Sequence, residues 1–243
     1  MSATRIVCPW RMRRLGIVME PDPADPREAG GVLNPAATRG PDGQLYLLPR
    51  LVAAGNYLRI GLARVIFDRR GTPVGVERLG VVLEPDAPYE LNPDTGGGVE
   101  DARITHIATR GLYVMTYTAF GPAGPRIAAA VSRDLAHWRR LRLVRFAPHH
   151  GIDLGRHPAV RYCAGALLLD GRDPRQVLYR SARSLLAPRV AAERVGAVAD
   201  VVFPTRLDAR PDGQLDVYYG MADSRIGVAR ACLANLLAPA KAA

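Results

Sequence analysis

Lysine is almost missing from this 243-residue chain. Lys241 is the only one, so arginine supplies nearly all the positive charge behind a formal net charge of +10. The arginines run along the whole chain, with only short clusters at Arg11/Arg13/Arg14 and Arg139/Arg140/Arg142/Arg145. A nucleic-acid binder concentrates its basic residues on one face or helix, so no nucleic-acid partner is expected. Cysteine is scarce too. Cys8, Cys163 and Cys232 are odd in number and lack CxxC spacing, which argues against a disulfide framework and against a metal site. Reduced thiols in a cytoplasmic protein are the simplest account. No run of about 18 apolar residues occurs, and no apolar h-region follows the early arginines. Neither a membrane span nor a secretory leader is expected.

What is present favours short strands. Apolar residues make up 48% of the chain, while 24 glycines and 20 prolines are scattered between the apolar runs. That is enough to bury a sizeable core, and the length suits one large all-β domain. Pro21, Pro23 and Pro26 with Asp22 and Asp25 mark residues 1–31 as an irregular lead-in. Residues 32–243 then read as a single domain.

Within that domain a strand pair recurs. Leu45-Tyr46-Leu47-Leu48 precedes Leu58-Arg59-Ile60-Gly61-Leu62-Ala63. Leu112 to Tyr117 precedes Arg126-Ile127-Ala128-Ala129-Ala130, and Leu215 to Gly220 precedes Arg225-Ile226-Gly227-Val228-Ala229. Each copy sets an aromatic-rich strand before a strand of pattern Arg-Ile-(Gly/Ala)-x-Ala. The small residues of the second strand suggest sheets converging on a narrow axis. Repeated antiparallel units of this size are a mark of β-propellers; a plain β-sandwich is the simpler alternative. Ile60 and Ile127 lie 67 positions apart, whereas Ile127 and Ile226 lie 99 apart, so the repeat is interrupted near residues 145–160. Tyr162 to Asp170 reads as a partial copy.

Between the first two copies lies Gly96-Gly97-Gly98-Val99-Glu100-Asp101-Ala102-Arg103-Ile104-Thr105. Three glycines permit φ > 0 and the close approach of a ligand. A carboxylate at a strand mouth suits a general acid. A glycine-rich turn with solvated charges, or a structural Asp101–Arg103 pair, is the alternative.

Gly98-Val99-Glu100-Asp101-Ala102-Arg103-Ile104 resembles the Gly-x-Glu-Asp-Pro-Arg-Ile motif of glycoside hydrolase family 130, with Ala102 in place of the usual proline. Other matches follow in order: Asn34-Pro35-Ala36, the strand ending in Arg50, Tyr117-Thr118-Ala119, Asp134 to Trp138, Asp173-Pro174, Val201 to Thr205 and Tyr219 to Ser224. The resemblance implies a five-bladed β-propeller of β-mannoside phosphorylases and β-mannosidases. Five periods of 67 would need about 335 residues, roughly 90 more than the chain has. The family's central Lys-Asp strand and Gly-Trp segment have no counterpart. An internal deletion is therefore expected, giving a four-bladed or open propeller with one blade missing or incomplete. An open ring would expose two sheet edges, so either a homo-oligomer covering them or a rearranged closure is expected.

The resemblance makes Asp101 the general acid of an inverting reaction, protonating the glycosidic oxygen through a mannosyl hydroxyl. It places Asn34, Arg50, Arg103, Tyr117 and Asp223 against an oligosaccharide substrate. Glu100 is expected to orient the loop. No cofactor is implied beyond inorganic phosphate as co-substrate if the reaction is phosphorolysis, with Arg126 and His150 as candidate phosphate ligands. Hydrolysis and phosphorolysis both remain open. So does a catalytically degenerate, carbohydrate-binding propeller.

Overall fold

The computed structural model describes residues 12–92, 96–144, 162–165, 167–169, 176–180, 184–210 and 212–232. Twelve strands among them form three four-stranded antiparallel sheets. The first holds β2 (Gly31–Arg39), β3 (Leu45–Ala53), β4 (Tyr57–Phe67) and β5 (Pro73–Leu83), paired in that order. The second holds β6 (Gly97–Ile107), β7 (Leu112–Gly121), β8 (Gly124–Ser132) and β9 (Arg139–Leu143). The last joins β12 (Val202–Ala209), β13 (Gln214–Met221) and β14 (Arg225–Cys232) to β1 (Arg13–Met19). Between the second and last sheets, β10 (Leu167–Leu169) pairs with β11 (Val177–Arg180).

This is a propeller arrangement, with three complete blades and part of a fourth among the described residues. The first strand of each blade lies innermost, and β2 touches both β6 and β12. Apolar side chains fill the spaces between blades. Leu48, Ile60, Met115 and Tyr117 share one buried cluster; Val32, Leu47, Val65, Tyr218 and Ile226 share another.

Two expectations are corrected here. Residues 13–19 are not an irregular lead-in: they form β1, the outermost strand of the last blade, pairing with β14 from Arg13↔Arg230 to Met19↔Ile226. Such a strand covers the edge that β14 would otherwise present. The prolines that follow fall in the loop to β2, so they do not oppose β1. The Arg-Ile-(Gly/Ala)-x-Ala strands are β4, β8 and β14, third from the axis rather than beside it. Their residues are small because larger side chains cross over them.

Those side chains form one device repeated in the three complete blades. The last alanine of the pattern faces an arginine on the outermost strand: Ala63↔Arg78, Ala130↔Arg140 and Ala229↔Arg14. Each arginine reaches a buried glutamate in the segment leading into the innermost strand. Arg78 Nε meets Glu28 Oε1 at 3.0 Å, Arg140 Nε meets Glu90 Oε1 at 2.9 Å, and Arg14 Nε meets Glu193 Oε1 at 2.7 Å. The second carboxylate oxygen takes backbone donors: Asp22 N on Glu28, Asp86 and Ala87 N on Glu90, and Arg189 and Val190 N on Glu193. In two blades a tyrosine completes the set. Tyr117 Oη donates to Glu90 Oε1 at 2.7 Å and Tyr219 Oη to Glu193 Oε1 at 2.9 Å.

Burial pushes the Glu90 and Glu193 carboxyls up, but their arginine, tyrosine and backbone donors outweigh it and hold both below the ordinary glutamate value. A carboxyl lowered in the folded state contributes stability above its unfolded pKa and loses it as pH falls through the folded one. Unfolding free energy is therefore expected to fall as pH drops below about 4.5, followed in urea melts across an acid series. Glu90→Ala strands Arg140, whose side chain still reaches solvent. Its expected cost is about 3 kcal/mol, the low end for a broken buried pair, read from the same melts at neutral pH.

Candidate active site

The glycines before the acid pair serve the fold. Gly97 and Gly98 take φ of 140° and 133°. A Cβ on Gly97 would collide with the Phe120 carbonyl oxygen, and one on Gly98 with that of Leu58. Short parallel pairing of Tyr57 with Gly97 and Leu58 with Gly98 joins the first two blades here. The close approach that these glycines permit is backbone on backbone.

Just beyond, the β6–β7 register slips between Glu100 and Arg103, and the β2–β3 register slips between Leu33 and Ala36. Each slip is a β-bulge, which re-aims side chains. Asn34 and Asp101 occupy the bulges with φ of 45° and 54°, a left-handed conformation that Asn and Asp tolerate better than most residues. They are 67 positions apart, the period of the sequence repeat, so they are equivalent positions of neighbouring blades. Asn34 Nδ2 donates to Asp101 Oδ1 at 3.0 Å.

Arg50, on β3, lies between the two acids. Its Nη1 pairs with Glu100 Oε2 and stands 3.3 Å from Asp101 Oδ1. Asp223 enters from the β13–β14 turn with φ of 47°, within the field of both Arg50 and Asp101. Burial pushes the Glu100 carboxyl up against the pull of Arg50, and the charges of Asp101 and Asp223 add to that rise. Burial likewise raises Asp223, with Asp101 adding to it and Arg50 opposing. The Asp101 side chain is the most open of the ion-paired trio, 28% exposed against 14% for Arg50 and 13% for Glu100. No described residue donates to its Oδ2. Asn34 Oδ1 and Arg50 Nε are buried without a hydrogen-bond partner.

Asn34, Arg50, Asp101 and Asp223 thus come together, with Glu100 anchoring Arg50. Arg103 is beside them but does not pair with the Asp101 carboxylate. Its Nη1 donates to the Ala102 and Asp101 carbonyls at 2.8 and 3.3 Å, and its guanidinium lies 5.8 Å from the Phe203 ring centroid. Burial lowers its pKa, with Arg50 adding to that and Asp101 opposing.

Tyr117 does not join the site. It is buried in the second blade with its hydroxyl spent on Glu90, because at its strand position the side chain points away from the axis. Arg126 is exposed on β8, two strands out from the one carrying Asp101. His150 lies outside the described residues. Among the described residues, no group of His, Cys, Asp and Glu is arranged to hold a metal ion. Phe203 was not foreseen from the sequence, although its position in β12 matches that of Glu100 in β6.

Residues 146–241 match the family model described as β-1,4-mannooligosaccharide phosphorylase, of glycoside hydrolase family 130. A 1,2-β-oligomannan phosphorylase of Thermoanaerobacter sp. (strain X514) is 43% identical over 175 residues, which are 63% of this chain and 53% of that protein. The chain is thus similar to glycoside hydrolase family 130. It spans about half the length of that curated relative. Two crystal structures share the fold of this chain over nearly its whole length, and these neighbours are five-bladed β-propellers. A glycosyl hydrolase from Bacteroides ovatus gives a TM-score of 0.69 at 22% identity, covering 96% of each chain. β-1,2-Mannobiose phosphorylase from Listeria innocua, in complex with β-1,2-mannobiose, gives 0.68 at 18%, covering 93% of this chain and 98% of that one. The match of the family model begins after Asp101, so over the acid-bearing blades the likeness is one of fold and of motif.

Gly220 packs behind this site, and a Cβ there would stand 2.7 Å from Asn34 Oδ1. Gly220→Ala is expected to push the Asn34 amide off Asp101. A crystal structure of the variant should show that hydrogen bond broken, with a stability loss of about 1–3 kcal/mol from overpacking.

Proposed function

We propose that this protein is a family 130 enzyme that cleaves β-mannosides with inversion, Asp101 serving as general acid. The observation that carries the reading is the junction of Asn34 and Asp101, equivalent bulge residues of two blades, with Arg50 and Asp223 beside them. Asp101 Oδ1 is held by Asn34 and faces Arg50, which leaves Oδ2 to carry the transferred proton. Inverting cleavage also needs room opposite the acid for a water or phosphate nucleophile. Asn34, Arg50 and Asp223 supply the mixed donors and acceptors that sugar hydroxyls require, and Arg103 supports the loop from behind. Inorganic phosphate is the co-substrate in the phosphorolytic case.

The substrate class rests on the similarity to family 130 and to the 43% identical 1,2-β-oligomannan phosphorylase. The free, exposed thiol of Cys163 fits a cytoplasmic setting. An oligomer that covers open sheet edges belongs to the same reading.

The test follows mannose and mannose 1-phosphate released from β-1,2- and β-1,4-mannobiose, with and without phosphate. Wild type should yield one of these products. Asp101→Asn should lose about 10²- to 10⁴-fold in kcat, the range for a positioned general acid. Binding of a mannoside by calorimetry without turnover, or full activity in Asp101→Asn, would overturn the assignment.

A further inference from the structure

The repeated glutamate–arginine device is complete in two blades and lacks one part in the first. Three registers define the missing part. Tyr117 pairs with Ala128 and Tyr219 with Gly227, each the third residue of the Arg-Ile-(Gly/Ala)-x-Ala pattern. In the first blade that third residue is Gly61, and the pairing of Arg50 with Ile60 sets Pro49 opposite it. Tyr117 also lies opposite the bulge between Glu100 and Arg103, as Pro49 does opposite the bulge between Leu33 and Ala36. Pro49 therefore occupies the tyrosine position, and no phenol ring enters the space beneath Glu28.

That space is a cavity. It has a volume of about 180 Å³, with Met19, Pro49, Leu51, Gly61 and Leu62 on its apolar walls, and buried Glu28 with solvent-reaching Arg78 as its polar end. Asp25 and Arg27, paired to each other at 2.7 Å, stand at its rim. Glu28 is 2% exposed. In the other two blades Oε1 of the glutamate accepts both the arginine Nε and the tyrosine hydroxyl. Glu28 Oε1 accepts Arg78 Nε at 3.0 Å, and no described residue supplies the second donor.

We propose that this cavity is a binding site for a small phenol, whose ring takes the place of the absent tyrosine side chain and whose hydroxyl donates to Glu28 Oε1. Size and chemistry agree. An apolar cavity of about 150 Å³ is enough for benzene, and a hydroxyl donated to a buried carboxylate is among the stronger hydrogen bonds. The two neighbouring blades show the same protein holding the same group on the same acceptor. The site lies on the opposite face of β3 from Arg50, so it is distinct from the one around Asp101 and does not rest on the proposed activity.

p-Cresol, the free counterpart of a tyrosine side chain, is the probe. Wild-type protein should bind it saturably, with a rise in Tm, and toluene should bind about tenfold more weakly for want of the hydroxyl. Pro49→Tyr should raise Tm without ligand and abolish the response to p-cresol. Independently of any variant, NMR on the unaltered protein should give NOEs from the ring protons to the methyl groups of Met19, Leu51 and Leu62. Absence of saturable binding, an undiminished response in a folded Pro49→Tyr, or binding without those NOEs would each overturn the proposal. Water alone would then fill the cavity.

Discussion

A buried carboxylate that must find donors shapes each complete blade among the described residues. Glu28, Glu90 and Glu193 sit on the segments that feed the innermost strands, and each is almost wholly removed from water. An ionised group so placed is tolerable only when paired and hydrogen-bonded. The arginine from the outermost strand supplies the charge, and backbone N–H groups satisfy the other oxygen. One contact thus ties the outside of a blade to the approach of its inside, across all four strands. Ala63, Ala130 and Ala229 lie opposite the arginines, and Ala128 and Gly227 opposite the tyrosines, where small residues leave room for those side chains. At Gly227 a Cβ would come within 2.6 Å of Met221 Sδ and 3.0 Å of Tyr219 Cζ.

With the segments entering the axis fixed, the innermost strands can carry strain. Asn34 and Asp101 hold left-handed backbone inside β-bulges, and Asp223 does so in a turn. Each such residue costs of order 1–3 kcal/mol and persists only where its surroundings dictate it. The return is convergence. Two bulges in adjacent blades aim an amide and a carboxylate at each other, and Arg50 bridges the acid pair from the second strand. Burial raises Glu100 and Asp223, because the charged form of each loses water there. The glycines next to them do a different job, letting the backbones of two blades meet.

Much of this was legible because β-structure writes its period into the sequence. The Arg-Ile-(Gly/Ala)-x-Ala repeat marks β4, β8 and β14, whereas the pairing of Asn34 with Asp101 at the same 67-residue spacing emerges only from the fold. The repeat could not say which strand lies at the axis, since small residues suit either a narrow axis or a large side chain crossing above. Nor could it place Tyr117. A tyrosine beside a motif strand reads as a ligand contact until the pleat shows which face it takes. The strand at residues 13–19 was hidden for another reason: its partner is more than 200 positions away.

The sequence by itself determined the all-β class, the repeat and the motif that singles out Asp101. These depend on local composition and on spacing along the chain. Tertiary structure alone decided that residues 13–19 close the last blade, that Arg103 serves carbonyls rather than the Asp101 carboxylate, and that three glutamates far apart in the chain play one role. It also decided that Pro49 leaves a space where two other blades hold a tyrosine. Each of these is a contact between residues remote in sequence, fixed by strand register and by which face of the pleat a side chain takes, and neither is written in the residues on one side of the contact alone.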